Sequence, residues 1–304
     1  MINILVFTKD ESLKNQLESL PEGGFSFYFS EESFSIKEII NKNINVVVLD
    51  SETISIVEIS KKFKKNFILR FLPKVALMRD IKIGDFIEEV DDYIEKSEVG
   101  KELFSRIKIN LQRSEKKIDL HPLTKLPGNN SILKEIEERL KKKELFSIGY
   151  ADLDNFKEYN DYYGFSWGDK VVQFTANLIS EVVIEVSLED SFVAHIGGDD
   201  FIFIISPYKT DEVCRKIINK FDEGIRRFYK EEDIKKGYII VKNREGKVTS
   251  IPIMSISIGV TSNQSRSFRY PGEVIQVLVE MNKYAKKNPQ SNYVVDRRKA
   301  PSSS

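Results

Sequence analysis

Apolar residues along the first hundred positions fall in short runs, read as strands at Ile2 to Thr8, Phe25 to Ser30, Asn45 to Asp50, Lys74 to Met78 and Asp92 to Ile94. Amphipathic stretches separate them, and this alternation predicts an α/β sandwich built on a parallel sheet. From Glu98 to about Ile118 the pattern becomes a polar helix with Val99, Leu103, Ile107 and Leu111 spaced by four. So narrow a stripe suits a coiled-coil seam or a helix packed on a domain, and spacing does not separate the two. His121-Pro122 ends the helix, because proline bars the residue before it from helical backbone. Beyond lies a second pattern: helix 131–143, strand 146–154, helices 155–163 and 169–186, a hairpin over 192–206 and helix 211–230. A hairpin around 243–247, strand 251–261 and helix 271–287 complete it. This order predicts an α+β domain with a ferredoxin-like core and an added hairpin. The division read from the pattern is 1–97, a connecting helix 98–120, a second domain 121–299 and a tail 300–304 expected to be disordered.

Composition narrows the function classes. The 304 residues suffice for two domains with their own cores. Lysine plus arginine equals aspartate plus glutamate at 47 each, so no global field draws the chain to nucleic acid or anionic lipid. Cys214 is the single cysteine, which excludes an intramolecular disulfide and argues against a zinc cluster. No apolar run approaches the roughly 18 residues that span a bilayer, and the start carries no signal-peptide pattern. The expected location is the cytoplasm, with neither membrane nor nucleic acid as partner.

Two strand ends carry the candidate chemistry. Gly197-Gly198-Asp199-Asp200-Phe201 sits between two apolar runs and reads as a hairpin tip. Upstream, the strand ending Asp152-Leu153-Asp154 runs into a helix at Asn155-Phe156-Lys157. Asp152 and Asp199 suit Mg²⁺, a hard cation held by one or two carboxylates plus phosphate and water oxygens. Gly197 and Gly198 let backbone approach a phosphate, while the helix start and Lys157 add positive charge. By residue type alone, Asn160 and Asp169 read as helix caps.

The segments Leu123-Thr124-Lys125-Leu126-Pro127, Asp152 to Lys157, Asn160-Asp161, Gly168-Asp169, Gly197 to Phe201 and Ser257-Ile258-Gly259-Val260 together resemble the GGDEF, or diguanylate cyclase, domain. The resemblance implies a palm-like fold and condensation of two GTP into cyclic di-GMP across a homodimer, with Mg²⁺ as cofactor and Mn²⁺ an acceptable substitute. It makes Asp152, Asp199 and the Leu153 carbonyl the metal ligands, and Asp199, Asp200 and Asp152 the catalytic group. Asn160 and Asp169 become the guanine readers, since a carboxylate accepts from guanine N1–H and the N2 amino group. Lys157 and Lys286 become triphosphate contacts, with Asn155, Phe156, Gly197 and Gly198 lining the substrate.

The first domain resembles a response-regulator receiver. Asp50 takes the place of that family's phosphoacceptor, with Asp10 and Lys96 beside it, and the resemblance implies an upstream kinase or a protein partner. Thr8-Lys9 stands where an acidic pair is expected and Met78 where a hydroxyl is expected, so phosphate cycling is not expected here. Elsewhere Asp200 replaces a glutamate, His121 an aspartate, and Pro289-Gln290 a glycine-arginine pair, with Arg297 or Arg298 as a substitute arginine. The product-binding arginine and aspartate would fall at Leu188 and Ser191 and are absent. These departures leave a rival reading: a weak or inactive GGDEF domain that binds GTP or cyclic di-GMP and signals. A third is a protein-interaction scaffold.

Overall fold

A computed structural model of the chain describes residues 1–20, 23–31, 38–39, 42–64, 69–79, 87–117, 119–187, 191–242 and 248–298. Leu188, the turn expected at 243–247 and the tail 300–304 lie outside them. The chain divides into two compact units, Met1–Ile118 and Asp119–Ser304.

In the first unit, β1 (Ile2–Phe7), β2 (Phe25–Ser30), β3 (Ile44–Asp50), β4 (Lys74–Met78) and β5 (Asp92–Glu95) form one parallel sheet in the order β2-β1-β3-β4-β5. Strands covered on both faces read as near-continuous apolar runs, as Val46-Val47-Val48-Leu49 does. Alternate residues then serve opposite layers. Ile4, Val6, Val46, Val48 and Leu77 pack with Leu13 and Leu17 of α1 (Glu11–Glu18) and with Val99, Leu103 and Ile107 of α3 (Val99–Lys117). Leu5, Phe7, Val47 and Leu49 pack with Ile56, Ile59 and Phe63 of α2 (Ile56–Lys64).

The α3 stripe is therefore spent on the sheet of its own unit. Val99, Leu103 and Ile107 are each 0% exposed, and Leu111 packs against the same cluster. The contacts place this helix within the first unit rather than between units, whereas the sequence division began a separate helix at 98.

The second unit comprises α4 (Asn129–Lys142), β6 (Ser147–Asp154), α5 (Phe156–Tyr163), α6 (Phe165–Val186), β7 (Phe192–Gly197), β8 (Asp200–Ile205), α7 (Thr210–Ile225), α8 (Glu231–Lys236), β9 (Tyr238–Lys242), β10 (Val248–Pro252), β11 (Ser255–Ser262), α9 (Pro271–Ala285) and β12 (Asn292–Val295). The main sheet runs β12-β11-β6-β8-β7, so β6, β7, β8 and β11 with their helices make the ferredoxin-like βαββαβ core. Helices α4 and α9 touch each other, as do α6 and α7, so two helix pairs cover the sheet.

Several boundaries differ from the sequence reading, and the helix read over 211–230 ends as α7 at Ile225 with α8 following separately. Helix α6 starts at Phe165 rather than 169, directly after Gly164 ends α5, which puts Asp169 inside the helix. The strand expected over 251–261 is split: β10 pairs only with β9 in a separate ribbon, and β11 starts at Ser255. Strand β12 has four residues and no alternation long enough to announce it; it forms by pairing parallel to β11. No helix among the described residues is long and apolar enough to cross a membrane.

Candidate functional site

Strand geometry builds the site. Side chains two apart on β6 share a face, so Tyr150, Asp152 and Asp154 point the same way. Asp152 pairs across β8 with Asp200 and across β11 with Ser257. Asp199 occupies the turn joining β7 to β8. The fourth member comes from far along the chain: Lys286, at the end of α9, reaches Asp152 Oδ2 at 2.7 Å. Buried Asn282, one turn earlier, fixes that helix by donating from Nδ2 to the Ser257 carbonyl at 3.0 Å. Asp154 is held apart, accepting from Ser255 Oγ and Ser257 Oγ at 2.8 Å each.

Asp152, Asp199 and Asp200 thus face one lysine, and the charges do not balance. Burial raises the Asp152 carboxyl above its ordinary range against the pull of Lys286, and Asp200 adds to the rise. Burial and the Asp152 charge raise Asp199, and burial raises Asp200. Asp152 Oδ1 and Asp200 Oδ1 are buried with no hydrogen-bond partner. Unpaired buried carboxylate oxygens are costly, and a cation is the usual remedy. No group of three or more His, Cys, Asp or Glu side chains forms a ready cage among the described residues. A cation here would rest on few carboxylates plus substrate oxygens, the habit of Mg²⁺. The residues therefore fit a divalent ion of that kind; Leu153, its side chain buried, has only its carbonyl to offer.

The turn carrying Asp199 is braced from behind. Gly198 has φ 61, a conformation that strains other residues, and no neighbour lies within 4 Å of where a Cβ would sit. Its carbonyl accepts from His195 Nε2 at 3.1 Å, so Nδ1 of the neutral ring accepts from Thr124 Oγ1 at 3.0 Å. His195 is fully buried, stacks on Phe201 and lies 3.8 Å, centroid to centroid, from His121. Burial and the neighbouring His121 push it down to about 4, which keeps the ring neutral. The Leu123-Thr124 motif thereby acts through Thr124 as a support for the hairpin.

The nucleotide-facing residues of the sequence reading fall on α5 and α6. Asn155 precedes α5 with φ 65 and makes no side-chain cap bond; Phe156 is half-buried and Lys157 exposed. Neither Asn160 nor Asp169 is a cap: Asn160 lies within α5, and Asp169 is exposed in the second turn of α6. Asn160 Oδ1 is buried without a partner. A Cβ at Gly168 would stand 1.8 Å from that oxygen, so glycine is needed where the helices close.

Arg298 is engaged by other carboxylates. Its guanidinium is held by Asp296 Oδ1 at 2.7 Å and by Glu280 at 2.8 and 3.0 Å. Both Arg297 and Arg298 follow Asp296, whose N–H bonds Val260, whereas the Asp152 end of β11 lies at Ser257. Sequence reading also missed Tyr150, whose hydroxyl is pushed up by burial and the facing Asp200 carboxylate, and His195. Strict alternation from Asp152 would have pointed to Tyr150; nothing local marks His195.

A second cluster lies at the carboxyl ends of the strands in the first unit, the usual crevice of such sheets. Asp50, fully buried, receives Thr8 Oγ1 at 2.7 Å and Thr53 Oγ1 at 2.8 Å on Oδ2. Its Oδ1 receives Lys96 Nζ at 2.7 Å and the Glu52 N–H at 3.3 Å. Lys96 also pairs with Glu52 at 2.7 Å and Asp10 at 3.6 Å, and Arg79 holds Glu52 at 3.0 Å. Asp10 spends its Oδ1 capping α1 through Ser12 and Leu13. Burial opposes the Asp50 charge, but Lys96 and the two threonines outweigh it and hold the carboxyl below its ordinary range.

YkoW, a signaling protein of Bacillus subtilis (strain 168), is 33% identical over 113 residues, covering 34% of this chain and 14% of that protein. The probable diguanylate cyclase DgcT of Escherichia coli (strain K12) is 25% identical over 178 residues, 58% of this chain and 35% of that one. The chain thus spans well under half the length of either relative. Among solved structures, the GGDEF domain of DgcB from Caulobacter crescentus in complex with c-di-GMP is 18% identical at TM-score 0.41, over 58% of this chain and 94% of that one. The model of the family described as diguanylate cyclase, GGDEF domain, matches residues 118–292, more than half of the chain and all of the acidic site, and the chain belongs to that family.

Proposed function

We propose that the second unit is one half-site of a diguanylate cyclase, binding one GTP with Mg²⁺, or Mn²⁺ in its place, and condensing it with the GTP of a second copy into cyclic di-GMP. The observation that carries this is the surplus of carboxylate at buried Asp152 and half-buried Asp199 and Asp200, with two buried oxygens, Asp152 Oδ1 and Asp200 Oδ1, unpaired. A metal held there by Asp152, Asp199 and the Leu153 carbonyl would supply charge neutralisation and a more acidic ribose hydroxyl. The chain's own part is positioning. Lys286 starts on Asp152 and, on the α9 end, is placed to move onto a phosphate. The open Gly197-Gly198 backbone admits one. Asn160 and Asp169 read guanine, and Lys157 meets the phosphates from the exposed side of α5. Asp199 and Asp200 assist deprotonation of the 3′ hydroxyl.

Purified chain incubated with GTP and Mg²⁺ should yield cyclic di-GMP by mass. Asp199→Ala should abolish it with an unchanged circular dichroism spectrum, and retained product would sink the metal assignment. One observation favours a second reading, a GTP-binding signalling domain of low turnover. Gln290 stands in for the missing arginine, and Arg298 is bound elsewhere. GTP binding with no product at high protein concentration would select it.

The first unit fits a receiver-like, flavodoxin-like domain by its 2-1-3-4-5 parallel order. Both Asp50 oxygens already have partners, Lys96 among them, and Met78 ends β4. We infer a domain that passes its signal through a protein partner rather than through phosphate.

A further inference from the structure

Where α5 and α6 meet at Gly164, their ends expose Tyr162, Phe165 and Trp167, at 40%, 77% and 42%. One exposed aromatic is ordinary. Three at one helix junction, beside a buried amide oxygen that lacks a partner, are not.

Helical spacing relates them to the base-reading groups. Phe165 is the first residue of α6, and Gly168 and Asp169 lie three and four residues on, so all three share one face. The same face meets Asn160, because Gly168 packs against its Oδ1. Side chains on a helix tilt toward its N-terminus, so the Asp169 carboxylate leans over the turn that Phe165 opens. A flat ring held by its edge at Asn160 and Asp169 can turn its face toward the Phe165 ring. Trp167 is turned from that face and already carries Lys170 Nζ 4.2 Å over its ring.

We propose that Phe165 is a substrate-binding residue that stacks on the guanine base and adds affinity for it, while Asn160 and Asp169 supply selectivity. This rests on the guanine reading above. Its physical basis is that edge hydrogen bonds largely exchange for bonds to water, whereas an aromatic face covered by a purine gains stacking and apolar burial. The larger purine face should also set purine above pyrimidine, independently of the edge.

The test uses the full chain without Mg²⁺ and GMP as probe, so that base contacts dominate. Trp167 is the only tryptophan in the chain, and its emission reports this turn. Calorimetry gives a readout independent of the reporter. Phe165→Ala should weaken GMP about tenfold, the scale of one base–aromatic stack. Phe165→Tyr should restore it, and wild type should prefer GMP to CMP by more than Phe165→Ala does. Phe165 is too exposed for its loss to unfold the unit, and circular dichroism checks this. GMP affinity unchanged in Phe165→Ala would overturn the stacking while leaving the guanine reading intact. Failure of the wild type to bind GMP would overturn both.

Discussion

His195 supports the Gly197-Gly198 turn only as a neutral ring, since one nitrogen donates to Gly198 while the other accepts from Thr124. Folded, it takes a proton at about 4; unfolded, near 6.5. Between those values the unfolded chain binds more protons, so stability falls as pH drops from about 6.5 to 4, by at most about 3 kcal/mol for this group. The carboxylates raised by burial act with the opposite sign, so the comparison must be by difference. Urea midpoints at pH 7.5 and 5 should show a smaller acid loss in His195→Gln than in wild type, and equal losses would dismiss the effect. At this scale the acidic residues were legible because the carriers of the motif are neighbours in sequence. The histidine pair was not, because His121 and His195 meet only when the entry turn docks on β7 through Pro127 and Thr124.

Amphipathic spacing tells that a helix has one buried stripe, and nothing about what buries it. In α3 the answer is the parallel sheet. Leu103→Ala should therefore lower the stability of the first unit by about 2–5 kcal/mol, the usual cost of emptying a buried leucine site. A free seam between chains would instead lose association with no change in unfolding of the monomer. Helix α5 shows a comparable dependence on distant parts. Tyr159 donates to the Phe228 carbonyl at 2.6 Å and Tyr163 to Asp233 at 2.5 Å, and Tyr229 packs against both rings. The ribbon-bearing segment after α7 thereby holds the helix that carries Asn160, a role its local pattern of polar turn and short strands does not reveal.

Two units, each with its own core, leave the catalytic proposal with one GTP site per chain, so product requires two chains to meet. Specific activity should rise with protein concentration until dimers saturate, and a rate strictly proportional to protein over a hundredfold range would contradict the two-copy requirement. The residue types for metal and phosphate, the strand ends that bear them and the order of both units follow from local pattern, since a two-residue alternation and a glycine turn are properties of neighbouring positions. Folding alone brings Lys286 onto Asp152, sets Asp200 opposite Asp152, closes Lys96 over Asp50 and turns the α3 stripe inward. Each of these contacts joins segments far apart in the chain, and which distant partner satisfies a buried charge or apolar stripe depends on strand order and packing, which local periodicity does not encode.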